Sequence, residues 1–295
     1  MADEIVTLLG DTRPPVPVPE ETHARLVAQL AEARERWAER PYDPDALIWV
    51  GRRTAYLGDY RKAITVFTEG IDRWPDDARF YRHRGHRRIT LRQFAEAAAD
   101  FEQAVRLIAG TPDASEPDGQ PNARDIPTST LHFNIWYHLG LARYLRGEME
   151  RALSAYWAAY AVSVNPDALV AATHWLYMTL RRLGRDDEAE QVLAPITEDL
   201  DVIENGVYHR LLLLYQGVLP PESLVDAPSN SNATLHDGTA GYGIGNWHLY
   251  NGRTSEATAW FRRVYAGPQW AAFGFIAAEV ELAPLHDGSH ANSHS

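Results

Sequence analysis

The sequence predicts an all-α fold in which helical hairpins stack side by side into a solenoid. Two observations carry the prediction. Small and aromatic residues return at a fixed offset of 34 positions, Gly51, Ala63, Phe67 and Gly70 being followed by Gly85, Ala97, Phe101 and Ala104. Around them, apolar residues recur every three or four positions, the helical period, instead of alternating. One hairpin of this size cannot cover its own apolar face, so each must stack on the next.

In chain order, residues 1–20 read as an extended, proline-rich arm, through the stretch TRPPVPVPEE. A single solenoid domain is expected over 21–285. It opens on EETHARLVAQLAEARERWAER, where Leu26, Leu30, Ala33 and Trp37 share one helical face. Repeats are expected near 44–77, 78–109, 133–166 and 170–202. A degenerate unit follows over 203–226, then a late one over 238–267, and a terminal helix over 268–284 covers the open end. Two inserts, 110–130 and 219–240, are rich in turn residues and too long for ordinary helix connections. They are read either as ordered cover over a binding face or as mobile loops. Residues 286–295 read as a disordered tail.

The third unit carries the sharpest motif. Its stretch NIWYHLGLARYLRGEMERALSAYWAAYAV places Trp136, Leu139, Gly140, Gly147, Ala152, Tyr156 and Ala159 in the repeat's positions. This resembles the tetratricopeptide repeat (TPR) family, whose pattern runs W-x2-L-G-x2-Y, then A-x3-F, then P over about 34 residues. The resemblance covers most of Asp43 to Gly267 and implies a right-handed superhelix. It also implies that the first helix of each unit lines a concave groove through its positions two, five, nine and twelve. On that basis the groove takes Arg52 from the first unit and Arg79, Arg82 and His86 from the second. The third gives Asn134, Tyr137 and Tyr144, the fourth His174, Met178 and Arg181, and the late one Tyr242 and Asn246. Relatives that clamp a terminal carboxylate do so at places held here by Arg82, His86, Asn134 and His138, with histidine where the clamp has asparagine. Arg84 and Arg88 fall on core positions instead. Charged groups persist there only when paired, so they are expected to bridge to an acid such as Asp100 or Glu102.

Composition narrows the chemistry. The formal net charge is −12 from 40 acidic and 28 basic residues, which argues against capture of a nucleic-acid backbone. Lys62 is the single lysine, so an arginine by itself says little. No cysteine is present, which removes thiol catalysis and zinc-cysteine sites. No run approaches a membrane span, and the start MADEIVTLLGD lacks a basic, then apolar leader. A soluble, cytoplasmic protein is expected, with export behind a removed signal peptide left open.

Three motifs fail on context. Asp186 to Glu190, DDEAE, opens a helix, where acids suit the positive end of the dipole. Gly241 to Gly245, GYGIG, has no strand before it and is no phosphate loop. His286, His290 and His294 in the tail are a weak metal signal. No G-x-S-x-G or H-E-x-x-H occurs, and no cofactor or structural metal is expected.

Two functions stay open. The leading one is a non-catalytic module holding a peptide or protein segment, including one with acidic groups, in a basic and aromatic groove. The alternative is a small-molecule binder or a cofactor-independent acid-base enzyme of the isomerase, cyclase or hydrolase type, with His86, His174 and Tyr137 as its catalytic groups.

Overall fold

Four helices begin at residues whose side chains satisfy an orphan backbone N–H. Asp43 accepts from Asp45 N (3.0 Å), Asp77 from Arg79 N (3.0 Å), Thr130 from Phe133 N (3.3 Å) and Asn165 from Ala168 N (2.9 Å). In a computed structural model, which describes residues 2–225 and 233–291, these caps open the first helix of each of the four leading hairpins. The hairpins are α2 (Pro44–Tyr56) with α3 (Tyr60–Arg73), α4 (Ala78–Thr90) with α5 (Phe94–Ile108), α6 (Leu131–Leu145) with α7 (Met149–Ala161), and α8 (Pro166–Arg182) with α9 (Asp186–Val192). Ahead of them lies α1 (Glu20–Glu39). After them come α10 (Gly206–Tyr215), α11 (Pro221–Val225), α12 (Ala233–Tyr250), α13 (Thr254–Tyr265) and α14 (Phe273–Ala291).

The turn inside a hairpin needs one residue in the left-handed region. Glycine supplies it at Gly58, Gly147, Gly184 and Gly252, with φ between 71° and 80°. In the second hairpin that place is taken by Arg92 at φ 62°, a conformation that costs a residue with a Cβ about 1 kcal/mol.

Close approach of the two helices follows from the repeated small and aromatic pair. A Cβ on Gly85 would meet the Phe101 ring at 2.9 Å, one on Gly140 the Tyr156 ring at 2.6 Å, and one on Gly245 the Phe261 ring at 2.6 Å. Gly51 and Phe67 repeat the arrangement. Gly140→Ala sets helix propensity, a gain of about 1 kcal/mol, against overpacking of a fully buried ring, about 1–3 kcal/mol. We expect a net loss in urea unfolding, whereas Gly206→Ala, where nothing stands within 4 Å of the new Cβ, should be neutral or stabilising.

Arg84 and Arg88 both pair with the buried Asp100, each at 2.7 Å, the bridging role their core positions imply. Asp167, 1% exposed, accepts from the backbone N–H groups of Ile203, Glu204 and Asn205 at 2.7–2.9 Å and pins the chain between α9 and α10.

The two ends of the array meet. Residues of the expected extended arm form a short hairpin, β1 (Ile5–Val6) against β2 (Thr12–Arg13), turned at Gly10. It docks on the last repeat through Thr7 Oγ1 and Tyr265 Oη (2.8 Å), Arg13 to Tyr265 O (2.9 Å) and Trp270 Nε1 to Pro14 O (2.7 Å). At the same seam Arg92 pairs with Glu279 of α14 at 2.6 Å and donates to Trp270 O at 2.8 Å. Glu279 also accepts from Leu8 N and has no solvent exposure.

The insert expected over 110–130 lies against the groove side of α2, α4 and α6. It leaves and returns as a paired base, with Leu131 N to Ala114 O (2.9 Å) and Glu116 N to Ser129 O (3.0 Å). Within the second expected insert, 219–240, α11 and the start of α12 are helical, and 226–232 lie outside the described residues. The last helix runs Phe273–Ala291, through most of the expected tail 286–295. Residues 292–295 and the side chains of His286, His290 and His294 lie outside the described residues. No described helix is long and apolar enough to cross a membrane.

Candidate binding groove

The concave residues of α2, α4 and α6 converge on the first insert. Arg52 Nη2 donates to Pro117 O (2.7 Å), and its guanidinium lies 4.3 Å from the Trp49 ring. Arg53 Nη1 donates to Gly119 O (2.7 Å), and Gly119 itself packs so closely on the Tyr56 hydroxyl that no Cβ fits there. Glu116 is the centre of the arrangement. Its Oε2 stands 3.0 Å from Arg82 Nε and accepts from Asn134 Nδ2 at 3.0 Å, with His83 Nε2 3.8 Å from Oε1. The Arg82 and Glu116 side chains are 9% and 10% exposed, so this pair is mostly out of water.

Behind that contact lies an imidazole cluster. His86 Nδ1 accepts from Arg87 Nη2 (2.7 Å) and more distantly from Arg82 Nη1 (3.5 Å), which fixes a neutral ring with its proton on Nε2. His138 donates from Nδ1 to Asn134 O (2.6 Å) and lies 4.6 Å from the His86 ring, and both rings meet Phe273 of the terminal segment. Burial, reinforced by the neighbouring guanidiniums, pushes His138 down to about 3 and holds His83 and His86 well below the usual imidazole range.

The remaining expected groove residues are elsewhere. Arg79 spends its guanidinium on Asp77 (2.6 Å) and Asp45 at the edge of the array. Arg181 pairs with Asp186 (2.7 Å), donates to Tyr177 Oη (3.0 Å) and lies over the Tyr250 ring. Tyr137, Tyr144, His174, Met178, Tyr242 and Asn246 are buried. For these six the expectation of an open, ligand-facing surface is corrected: α12, α10 and the terminal segment fill the concave side of the later repeats. Tyr144 Oη accepts from Tyr242 Oη (2.9 Å) and Asn246 Nδ2 (3.2 Å). Tyr208 occupies the space between Tyr137 and His174, its hydroxyl 3.2 Å from one and its ring 4.7 Å from the other. His174 is 1% exposed, and burial drives it to about 3. Tyr137 and His174 therefore flank a packed tyrosine, where a substrate pocket would need empty space, and His86 lies apart from them against His138 and Phe273.

Sequence reasoning missed Glu116, Arg53, Arg87 and Phe273. A signal existed for the first: the insert reads ASEPDGQP, acidic, and faces a basic stripe.

No protein-family model matches the chain. It is 27% identical over 119 residues to the small glutamine-rich tetratricopeptide repeat-containing protein 2 of Saccharomyces cerevisiae, a match that takes in 40% of this chain and 28% of the yeast protein. A tetratricopeptide repeat protein from Parabacteroides merdae superposes with a TM-score of 0.52 at 13% identity, over 90% of this chain and 94% of that one. YrrB, described as a TPR protein with an unusual peptide-binding site, gives a TM-score of 0.45 at 16% identity, over 87% of this chain and 97% of its own. With capped first helices, left-handed turns and the small/aromatic pair recurring through its hairpins, the chain has the fold of tetratricopeptide-repeat proteins.

Proposed function

We propose that the protein is an interaction module that binds an extended acidic segment of a partner protein along α2, α4 and α6, on the face its own insert now covers. One observation carries the reading. Three residues expected to hold a ligand, Arg52, Arg82 and Asn134, meet on a single stretch of chain, gripping the Glu116 carboxylate and the Pro117 carbonyl. The groove thus displays in cis the chemistry it would use in trans: a charge-assisted contact to a carboxylate beside hydrogen bonds to extended backbone. Catalysis has no comparable support, since His174 and Tyr137 present almost no surface.

The test uses a fluorescein-labelled peptide of residues 112–122, titrated against the full chain and against a Glu116→Gln variant. Weakening the internal contact should tighten peptide binding by about tenfold, the scale of one charged hydrogen-bond pair. Adding Arg82→Ala should remove it. Absence of saturable binding to the Glu116→Gln chain would overturn the reading.

A further inference from the structure

Next to the groove, on the side facing α3 and the terminal segment, the structure holds donors without acceptors. Arg87 is the clearest case. Its Nη2 meets His86 Nδ1 at 2.7 Å, its guanidinium lies 5.7 Å from the Tyr60 ring, and among the described residues no carboxylate pairs with it. A guanidinium carries five N–H groups, and among the described residues no further hydrogen bond is made by this one. Burial lowers Arg87 to about 10, and the nearby charges of Arg82 and Arg52 press the same way.

Its neighbours repeat the pattern. With His86 Nδ1 occupied as an acceptor, the ring's Nε2–H is a donor that meets no acceptor among the described residues. The Tyr60 hydroxyl likewise has no hydrogen-bond partner among them, its ring being held edge-on by Trp270 at 5.7 Å. The nearest acids are committed elsewhere. Glu116 is taken by Arg82 and Asn134, and Asp3 by Arg61 at 2.8 Å. Asp118, which feels Arg52, has its own carboxyl raised by burial and by Glu204. Counting Arg52, Arg82 and Arg87 against Glu116 and Asp118 still leaves one positive charge over. Arg87 is half-buried and has no carboxylate pair among the described residues, so water is left to meet its free N–H groups. The place is also reachable, because Tyr56, Tyr60, His86 and Arg87 each keep part of their surface in solvent.

We infer that the crevice bounded by Tyr56, Tyr60, His86 and Arg87 is a binding site for a small oxyanion of the phosphate class. A tetrahedral oxyanion offers only acceptors and spreads them in several directions, which suits the Arg87 N–H groups of α4 and the Tyr60 hydroxyl of α3, with the His86 Nε2–H at the margin. A phosphate at neutral pH also brings the charge that the cluster lacks. Arg87 lies outside the stripe that grips the insert, so the site stands whether or not the groove takes a partner.

The probe is inorganic phosphate, titrated into the full chain by calorimetry at pH 7.5, with sodium chloride at matched ionic strength as reference and sodium acetate as a second arm. Saturable binding of phosphate, tighter than acetate, is expected. Arg87→Met should weaken it by about tenfold or more, the loss of a charge-assisted contact, while the exposed Arg106→Met leaves it unchanged. Should Arg87→Met fail to fold, Arg87→Lys, which keeps the charge and loses the fork, is expected to give intermediate affinity, and broadening of the phosphorus-31 resonance by the unmodified chain reads binding directly. Equal response to phosphate and chloride, acetate binding as tightly as phosphate, or unaltered affinity in both Arg87 variants would overturn the inference.

Discussion

Glu279→Ala is expected to lower the free energy of unfolding by about 3–5 kcal/mol, the cost of leaving one member of a buried ion pair without its partner. The Arg92 and Glu279 side chains are 5% and 0% exposed, and Glu279 is also the acceptor for Leu8 N, so one substitution strands a guanidinium and a backbone donor together. Urea unfolding measures the loss. The double change Arg92→Met with Glu279→Met should recover most of it, since two apolar groups of similar length leave nothing charged behind. Arg92→Gly separates the two roles of that residue. It relieves about 1 kcal/mol of left-handed backbone strain and still leaves the Glu279 carboxylate without its cation, so the net change should remain a loss. A variant as stable as the parent would show that the pair contributes nothing to the seam.

Acid should destabilise the fold well before its carboxylates titrate. Burial holds His138 and His174 near 3 in the folded state, against about 6.5 when unfolded. Their neutral rings favour the native state, and that contribution is complete above the unfolded value of about 6.5. It is lost as pH falls from there toward 3, because the unfolded chain takes up protons that the folded one refuses. For the two rings together the loss between pH 7 and pH 5 is about 4 kcal/mol. Thermal unfolding at pH 7, 6 and 5 reads it directly. His174→Phe, which keeps an aromatic face against Tyr208 and Tyr215, should flatten the profile by about half that amount. An unchanged slope in this variant would mean that the ring is solvated in solution.

The hairpins were legible because their cause is local. Gly85 with Phe101 and Gly140 with Tyr156 report how two neighbouring helices touch, and that contact is written within one repeat. Pairing of Arg84 and Arg88 with Asp100 was legible for the same reason: a charge at a packed position demands an acid on the adjoining helix. What periodicity does not carry is contact between segments far apart in the chain. Leu8 and Glu279 are separated by 271 positions, and Arg92 and Glu279 by 187. Nothing in the spacing of either end announces the other. The same gap explains the groove residues. Tyr144, Met178 and Tyr242 occupy ligand-facing positions of a repeat whose concave side is open, yet here α12 and the terminal segment fill that side. Glu116 escaped notice because an insert has no place in the repeat register, although its acidity next to an arginine stripe was readable.

The seam between the first and last elements also changes how this array should come apart. In an open solenoid each unit answers only to its neighbours, stability adds along a line, and the terminal units fray first. Tying Thr7, Leu8 and Arg13 to Tyr265 and Glu279 removes both free ends. A unit then unfolds only by breaking into a closed circuit, which costs its two neighbour contacts and the seam at once. Unfolding is accordingly driven toward a single cooperative step, and the slow event in refolding becomes the long-range closure of residues near 8 onto residues near 279, not the formation of any hairpin.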